Sequence, residues 1–278
     1  MLLPASEAPP DSAAALASIV SPGTELRRLR STIGGEAREA GYMTIARRPA
    51  AGTLLLAPVP HGSWIDPGNP KALLAEPGAT MEKVAAARFQ LIAALGMRHP
   101  ACAARVDRAL VIGSGPVALG CCLELRRRGV QHVTLLTMRA EVPYAARLGA
   151  EVTGSLPRTA APLVLDATGE SAHAVQAVAE RGVVGLVGSP EPCQALSATL
   201  VHRASVAVIG MHELAGYDHA AYQREFTAIL AWLSANFDPA TVGSWCLRIG
   251  ETQVEPFYRR LGSSSDRPVQ PITLLEWC

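Results

Sequence analysis

Between residues 108 and 210 the chain alternates short apolar runs with stretches whose apolar residues recur at helical spacing. Arg108 to Ile112 reads as a buried strand, and Pro116 to Arg128 as a helix with proline in its first turn. "HVTLLT" (132–137) predicts a second strand, followed by a helix around Glu141 to Leu148. "PLVLDATG" supplies a strand ending at Asp166, "SAHAVQAVAERG" a helix closed by Gly182, and "VVGLVG" and "SVAVIG" two more strands. Strands alternating with helices of this length imply parallel pairing through right-handed crossovers. The expected fold class is α/β, a doubly wound Rossmann sheet over residues 106–234.

The flanks carry a different pattern. Residues 1–105 are rich in proline and glycine with short apolar runs such as "GTLLLAPV", as in a small β domain. After the sheet, Tyr222, Phe226, Ile229, Leu230 and Leu233 fall on one face of a helix and are expected in a core. Residues 235–278 are expected to return to the first domain, and from "GSWCLRIGETQVEPFYRRL" onward they read as a strand, a short helix and a last strand, "PITLLEW".

Composition narrows the functional class. The sequence is 49% hydrophobic and 18% charged with a formal net charge of +1, which reads as a packed globular protein without the basic face nucleic acid requires. No run of about 18 apolar residues predicts a membrane span. The opening "MLLPASEAPP" lacks the basic and apolar regions of a secretory signal. The six cysteines include no C-x-x-C pair, so a reduced, cytoplasmic protein is expected.

The stretch "ALVIGSGPVALG" carries the candidate chemistry. It follows a predicted strand and opens a helix inside a unit of βαβ length, the context in which a glycine turn binds a dinucleotide. Gly113 permits the tight turn, Gly115 has no Cβ to block a pyrophosphate, and Ala118 takes the third small position. Gly113, Ser114, Gly115 and Val117 are thus expected at the pyrophosphate. The next strand ends in Thr137, with Arg139 two residues on and no carboxylate. A carboxylate there binds a ribose 2′-hydroxyl, whereas hydroxyl and guanidinium suit a 2′-phosphate. NADP(H) is expected over NAD(H), unless Arg139 is only a solvated surface residue. Asp166, Thr168, Val187, Gly188 and Ser189 end strands on the same edge and should line the ribose and nicotinamide, with Ile209 near the carboxamide.

In order and spacing, "VIGSGPVALG", "RLGAEV", "LDATG", "VVGLVGSP" and "VAVIGMHE" resemble the medium-chain dehydrogenase/reductase superfamily, which includes zinc alcohol dehydrogenases and quinone reductases. "SIVSPGTELRRLRS" is similar to the segment carrying that family's first catalytic zinc ligand, and "GYMTIA" to its Gly-His-Glu segment. The resemblance implies a GroES-like catalytic domain, here shortened, built from both chain ends around the Rossmann domain. It also shows departures. Pro22 stands where the family has a cysteine ligand, Tyr42 where it has histidine and Met43 where it has glutamate, and the four-cysteine structural lobe is absent. No zinc is therefore expected.

The resemblance places Thr24 at the family's proton-relay hydroxyl, and Tyr42 where its phenol either donates a hydrogen bond or merely fills the space of the metal. Glu25 is expected to buttress a domain junction. His61, in "PVPHGSW", and His212, after the last Rossmann strand, are further candidates for proton transfer. The resulting expectation is a zinc-independent oxidoreductase moving hydride to or from a C=O, C=C or C=N bond of a small molecule, in specialised biosynthesis. An enoyl or quinone reductase, or a non-catalytic nucleotide-binding or scaffolding subunit, are the alternatives. A homodimer joined along "SVAVIGMHE" is also expected, because that strand is a sheet edge.

Overall fold

The computed structural model describes residues 11–31, 41–48, 52–190, 195–261 and 267–277. The opening segment read for a signal, and Cys193 and Cys278, lie outside them. In chain order the elements are β1 (Ala15–Ile19), α1 (Pro22–Ser31), β2 (Met43–Arg47), β3 (Leu54–Ala57), β4 (Leu73–Leu74) and α2 (Met81–Gly96). Next come β5 (Arg108–Ile112), α3 (Pro116–Arg127), β6 (His132–Leu136), α4 (Pro143–Leu148), β7 (Ala150–Thr153) and β8 (Ala161–Asp166). These are followed by α5 (Ala172–Ala177), β9 (Val178–Leu186), α6 (Ala198–Arg203) and β10 (Ala207–Gly210). The chain closes with α7 (His219–Asn236), α8 (Pro239–Ser244), β11 (Cys246–Gly250), α9 (Val254–Leu261) and β12 (Ile272–Glu276). Among the described residues no helix is long and apolar enough to cross a membrane.

Two compact units emerge, one of residues 1–87 with 218–278, the other of residues 88–217. The boundaries differ from the expected 105/106 and 234/235, and side-chain bonds explain why. In the second half of α2, Arg88 forms a two-pronged ion pair with Glu213, and Gln90 donates to Glu124 of α3. Those residues therefore belong with the Rossmann sheet. Helix α7 is tied to the first unit, because Lys83 donates to Ser234 and Gln223 bonds the backbone of Leu74 in both directions, 2.8 and 2.9 Å. The Gln223 amide acts as a substitute strand that satisfies the exposed edge of β4.

The second unit is a six-stranded parallel sheet in the order β10-β9-β8-β5-β6-β7. Counted from β5, this is the 3-2-1-4-5-6 order of dinucleotide-binding folds. Leu110, Val164, Ala174 and Val184 form its core. Between Arg108 and Gly210 three elements depart from the sequence reading. The helix expected through Gly182 stops at Ala177, and Val178 already pairs with Ala161 as the start of β9. "VAERG" has good helix formers, but strand pairing overrides that propensity, and the register shifts here between Ala161 and Leu163. Gly182 fits because a Cβ there would lie 2.6 Å from Val178 Cγ2. Strand β7 and helix α6 were not foreseen.

The first unit is a second six-stranded sheet, ordered β11-β12-β1-β2-β3-β4. It is antiparallel from β12 to β4, with β11 parallel to β12, so strands from both chain ends share it. Val20, Val254, Phe257 and Leu275 pack under α9. The expected face of α7 is buried as read, with Phe226, Ile229, Leu230 and Leu233 at 0% exposure and Tyr222 nearly so.

Candidate functional site

In the second unit the strand ends form a glycine-lined rim. Gly113 takes φ +111, a conformation that favours glycine, and a Cβ on it would lie 2.9 Å from Thr168 Cγ2. Gly115 is the N-cap of α3, and among the described residues no atom beyond its chain neighbours lies within 4 Å of where its Cβ would be. With Pro116 at N1, the first amides of this helix have no intrahelical partner and face that open space. The arrangement fits a pyrophosphate: a dipole end, free donors and no side chain in the way. Val117 sits in this first turn.

At the end of β6, Ser114 Oγ and Thr137 Oγ1 are 2.8 Å apart, and the Arg139 amide donates to Thr137 Oγ1 at 3.2 Å. Two hydroxyls and the segment bearing a guanidinium thus meet where other dinucleotide sites place a carboxylate. Asp166 is fully buried and organises the neighbouring loops. Its Oδ1 accepts from the Thr168 amide (2.8 Å), the Thr168 hydroxyl (2.7 Å) and the Gly169 amide (3.2 Å). Its backbone carbonyl accepts the amides of Val187 and Gly188 at 2.9 and 2.8 Å. A Cβ on Gly188 would lie 2.6 Å from the Ala167 carbonyl carbon, so the 166–169 and 187–189 loops are locked together. Ile209 is buried on β10, beside Gly185 in register. His212 is exposed, and its Nδ1 accepts the Leu214 amide at 3.2 Å.

In the first unit, Pro22 opens α1, and the Thr24 hydroxyl accepts from Ser21 Oγ at 3.3 Å. Tyr42, half-buried, precedes β2. Proline has no donor atom for a metal, and among the described residues no group of three or more His, Cys, Asp or Glu could hold one. The residues at these positions do not fit zinc. His61 is buried and engaged: its Nε2 lies 3.1 Å from Glu25 Oε2 and 2.9 Å from the Tyr258 oxygen, and the Tyr258 hydroxyl donates to Glu25. Burial, and then the Glu25 carboxylate, raise the Tyr258 phenol well above its usual range.

No family model matches this sequence, and no curated protein matches it. Solved structures do. An alcohol dehydrogenase superfamily protein from Novosphingobium aromaticivorans superposes with a TM-score of 0.76 at 14% identity, covering 100% of this chain and 95% of that one. This chain shares the fold of that structure. A putative zinc-binding dehydrogenase from Sinorhizobium meliloti, bound to NADP, gives a TM-score of 0.74 at 12% identity over 98% of this chain and 94% of its own. Galactitol-1-phosphate dehydrogenase from Escherichia coli gives 0.73 at 14% over 100% and 95%.

Within this fold the structure brings Gly113, Ser114, Thr137, Asp166, Thr168, Gly188 and Ser189 onto adjoining loops of one sheet edge. In the other unit it joins His61 to Glu25 and to Tyr258, a residue that sequence reasoning missed. "EPFYRRL" carries no mark of it beyond a tyrosine next to the buried face of a short helix.

Proposed function

We propose that the protein is a zinc-independent oxidoreductase that prefers NADP(H) and moves hydride to or from a C=O, C=C or C=N bond of a small organic substrate. The observation that carries this reading is the Ser114–Thr137 hydroxyl pair, 2.8 Å apart, with Arg139 bonded to it through its amide. Hydroxyls and a guanidinium hold the acceptor oxygens of a 2′-phosphate through charge-assisted bonds, and a carboxylate in their place would repel it. The nicotinamide, when bound, supplies or takes the hydride. The chain's own residues hold the pyrophosphate at the start of α3, keep the Asp166-tied loops fixed, and supply a proton donor. Thr24 and Tyr42 are the donors in this reading, and His212 is the exposed reserve. His61 is enclosed by Glu25 and Tyr258 and works through them.

The test is NADPH consumption, followed by absorbance, with benzaldehyde, cyclohexenone and 1-pyrroline as carbonyl, alkene and imine probes. Turnover of at least one probe is expected, undiminished after dialysis against a chelator. Tight NADPH binding with no turnover would support the scaffolding alternative. About one zinc per chain by elemental analysis, lost together with activity, would contradict the metal-free reading.

A second copy of the chain is the proposed partner. Strand β10 lies at the edge of its sheet, and Leu214 and Tyr217 just beyond it are exposed. Two-fold pairing along β10 would continue the sheet and cover an edge that otherwise templates aggregation. Light scattering at micromolar concentration should report a dimer, and a monomer would refute the pairing.

A further inference from the structure

A buried acid, an imidazole and a phenol meet at one point of the first unit. The side chains of His61 and Glu25 are 0% and 1% exposed. Glu25 Oε1 accepts the Ser21 amide at 2.9 Å, while Oε2 accepts the Tyr258 hydroxyl and lies 3.1 Å from His61 Nε2. Among the described residues no lysine or arginine bonds this carboxylate, so three uncharged donors hold it.

The protons can be placed by counting. Tyr258 has one hydroxyl proton and gives it to Glu25, so the contact between its oxygen and His61 Nε2 is attractive only if Nε2 carries the ring proton. Nδ1, which is buried without a partner, is then a bare acceptor rather than an orphan donor. His61 is the neutral Nε2–H tautomer, assigned here from its partners.

The turn that carries His61 is fixed on both sides. Thr44 gives its hydroxyl proton to the Pro60 carbonyl at 3.0 Å and so accepts from Ser18 at 3.0 Å. Ser18 in turn accepts the Gly62 amide at 3.1 Å and the Trp277 indole N–H at 2.8 Å. Gly41, next to Tyr42, packs so closely that a Cβ on it would lie 2.5 Å from Pro60 Cα and 2.6 Å from the His61 nitrogen. The network is buried and bonded throughout except at His61 Nδ1, and such a network is rigid. Its outputs are two. Glu25 pins the Ser21–Thr24 turn, where Ser21 donates to Thr24 and leaves the Thr24 proton uncommitted. His61 backs the Gly41–Tyr42 segment.

We propose that Glu25, His61 and Tyr258 are positioning residues that aim the Thr24 hydroxyl proton at the reacting oxygen or nitrogen of a carbonyl or imine substrate. As hydride from NADPH adds to the carbon, that oxygen or nitrogen takes the Thr24 proton, Thr24 regains one from the Ser21 hydroxyl, and the half-exposed Ser21 is restored from solvent. The proposal rests on the oxidoreductase reading and narrows its substrate class, since a C=C bond offers no acceptor at the reacting atom. In the full-length protein, Thr24→Val should lower kcat on benzaldehyde about a hundredfold, within the range for a lost proton donor. Tyr258→Phe should lower kcat about tenfold, with KM for NADPH within about twofold of wild type. The double variant should match Thr24→Val alone, because residues that act through one another are not additive.

A double variant slower than Thr24→Val by the full factor of Tyr258→Phe would overturn the proposal. So would a Tyr258→Phe protein that loses thermal stability but keeps kcat. If that variant does not fold, His61→Gln, which keeps a side-chain N–H donor, replaces it in the same cycle. Histidine 15N spectra should show His61 protonated at Nε2 only, and a proton on Nδ1 would contradict the geometry without any turnover assay. A wild type that binds NADPH but turns over none of the probes would refute the oxidoreductase reading, and the positioning role with it. Wild-type turnover with additive variants would refute the positioning role alone.

Discussion

Gly120→Ala should destabilise the protein by about 3 kcal/mol, at the upper end for overpacking a core. Gly120 lies on α3 where that helix meets α2. A Cβ there would collide with the Phe89 carbonyl group and come within 2.9 Å of the Gln90 nitrogen. These are backbone atoms of a helix, so no side-chain rotation relieves the clash. A urea titration should show a lower midpoint with an unchanged slope. Gly115→Ala, five residues earlier, is the matched control. Among the described residues no atom beyond its chain neighbours is near its Cβ position, and its φ of −79 suits alanine, so folding should be nearly unaffected. NADPH binding, however, should weaken sharply, because the new methyl enters the pyrophosphate's space. Equal stabilities for the two variants would contradict the packing described for α2 and α3.

Thr137→Asp should reverse the cofactor preference. It removes the hydroxyl that pairs with Ser114 and accepts the Arg139 amide, and it places a carboxylate where the 2′-phosphate is proposed to sit. Bonds to charged groups contribute roughly 1.5 to 3 kcal/mol each. Losing one or two of them and gaining a like charge should weaken NADPH by at least about 10²-fold. NADH has no 2′-phosphate and should bind as well or better, its ribose hydroxyl bonded by the new carboxylate. Fluorescence titration of both cofactors reads the outcome. If NADPH affinity is unchanged, the phosphate is not held at Thr137.

How far the sequence led can be followed element by element. The glycine turn, the strand before it and α3 were legible because a buried strand, a glycine break and a helical repeat each leave a strong local signal. The core face of α7 was legible for the same reason. Strand β7 was not, since Ala150–Thr153 spans only four residues and none of them is fully buried, so its alternation is too short to stand out. The start of β9 was misread because its local preference is helical and its pairing with Ala161 is not local. Thr137 and Arg139 could be read as a pair, but the Ser114 hydroxyl contact required the fold. The Glu25–His61–Tyr258 cluster was invisible for a plainer reason. Its members are separated by 36 and 197 residues, and their meeting depends on a sheet built from both chain ends.

The central claim is that the second unit is an NADP(H) site. Calorimetric titration of the wild-type protein with NADPH and with NADH, at one salt concentration, tests it most directly. NADPH should bind at least tenfold tighter, roughly the worth of one charge-assisted bond to the 2′-phosphate. Equal affinities, or no heat with either cofactor, would contradict it.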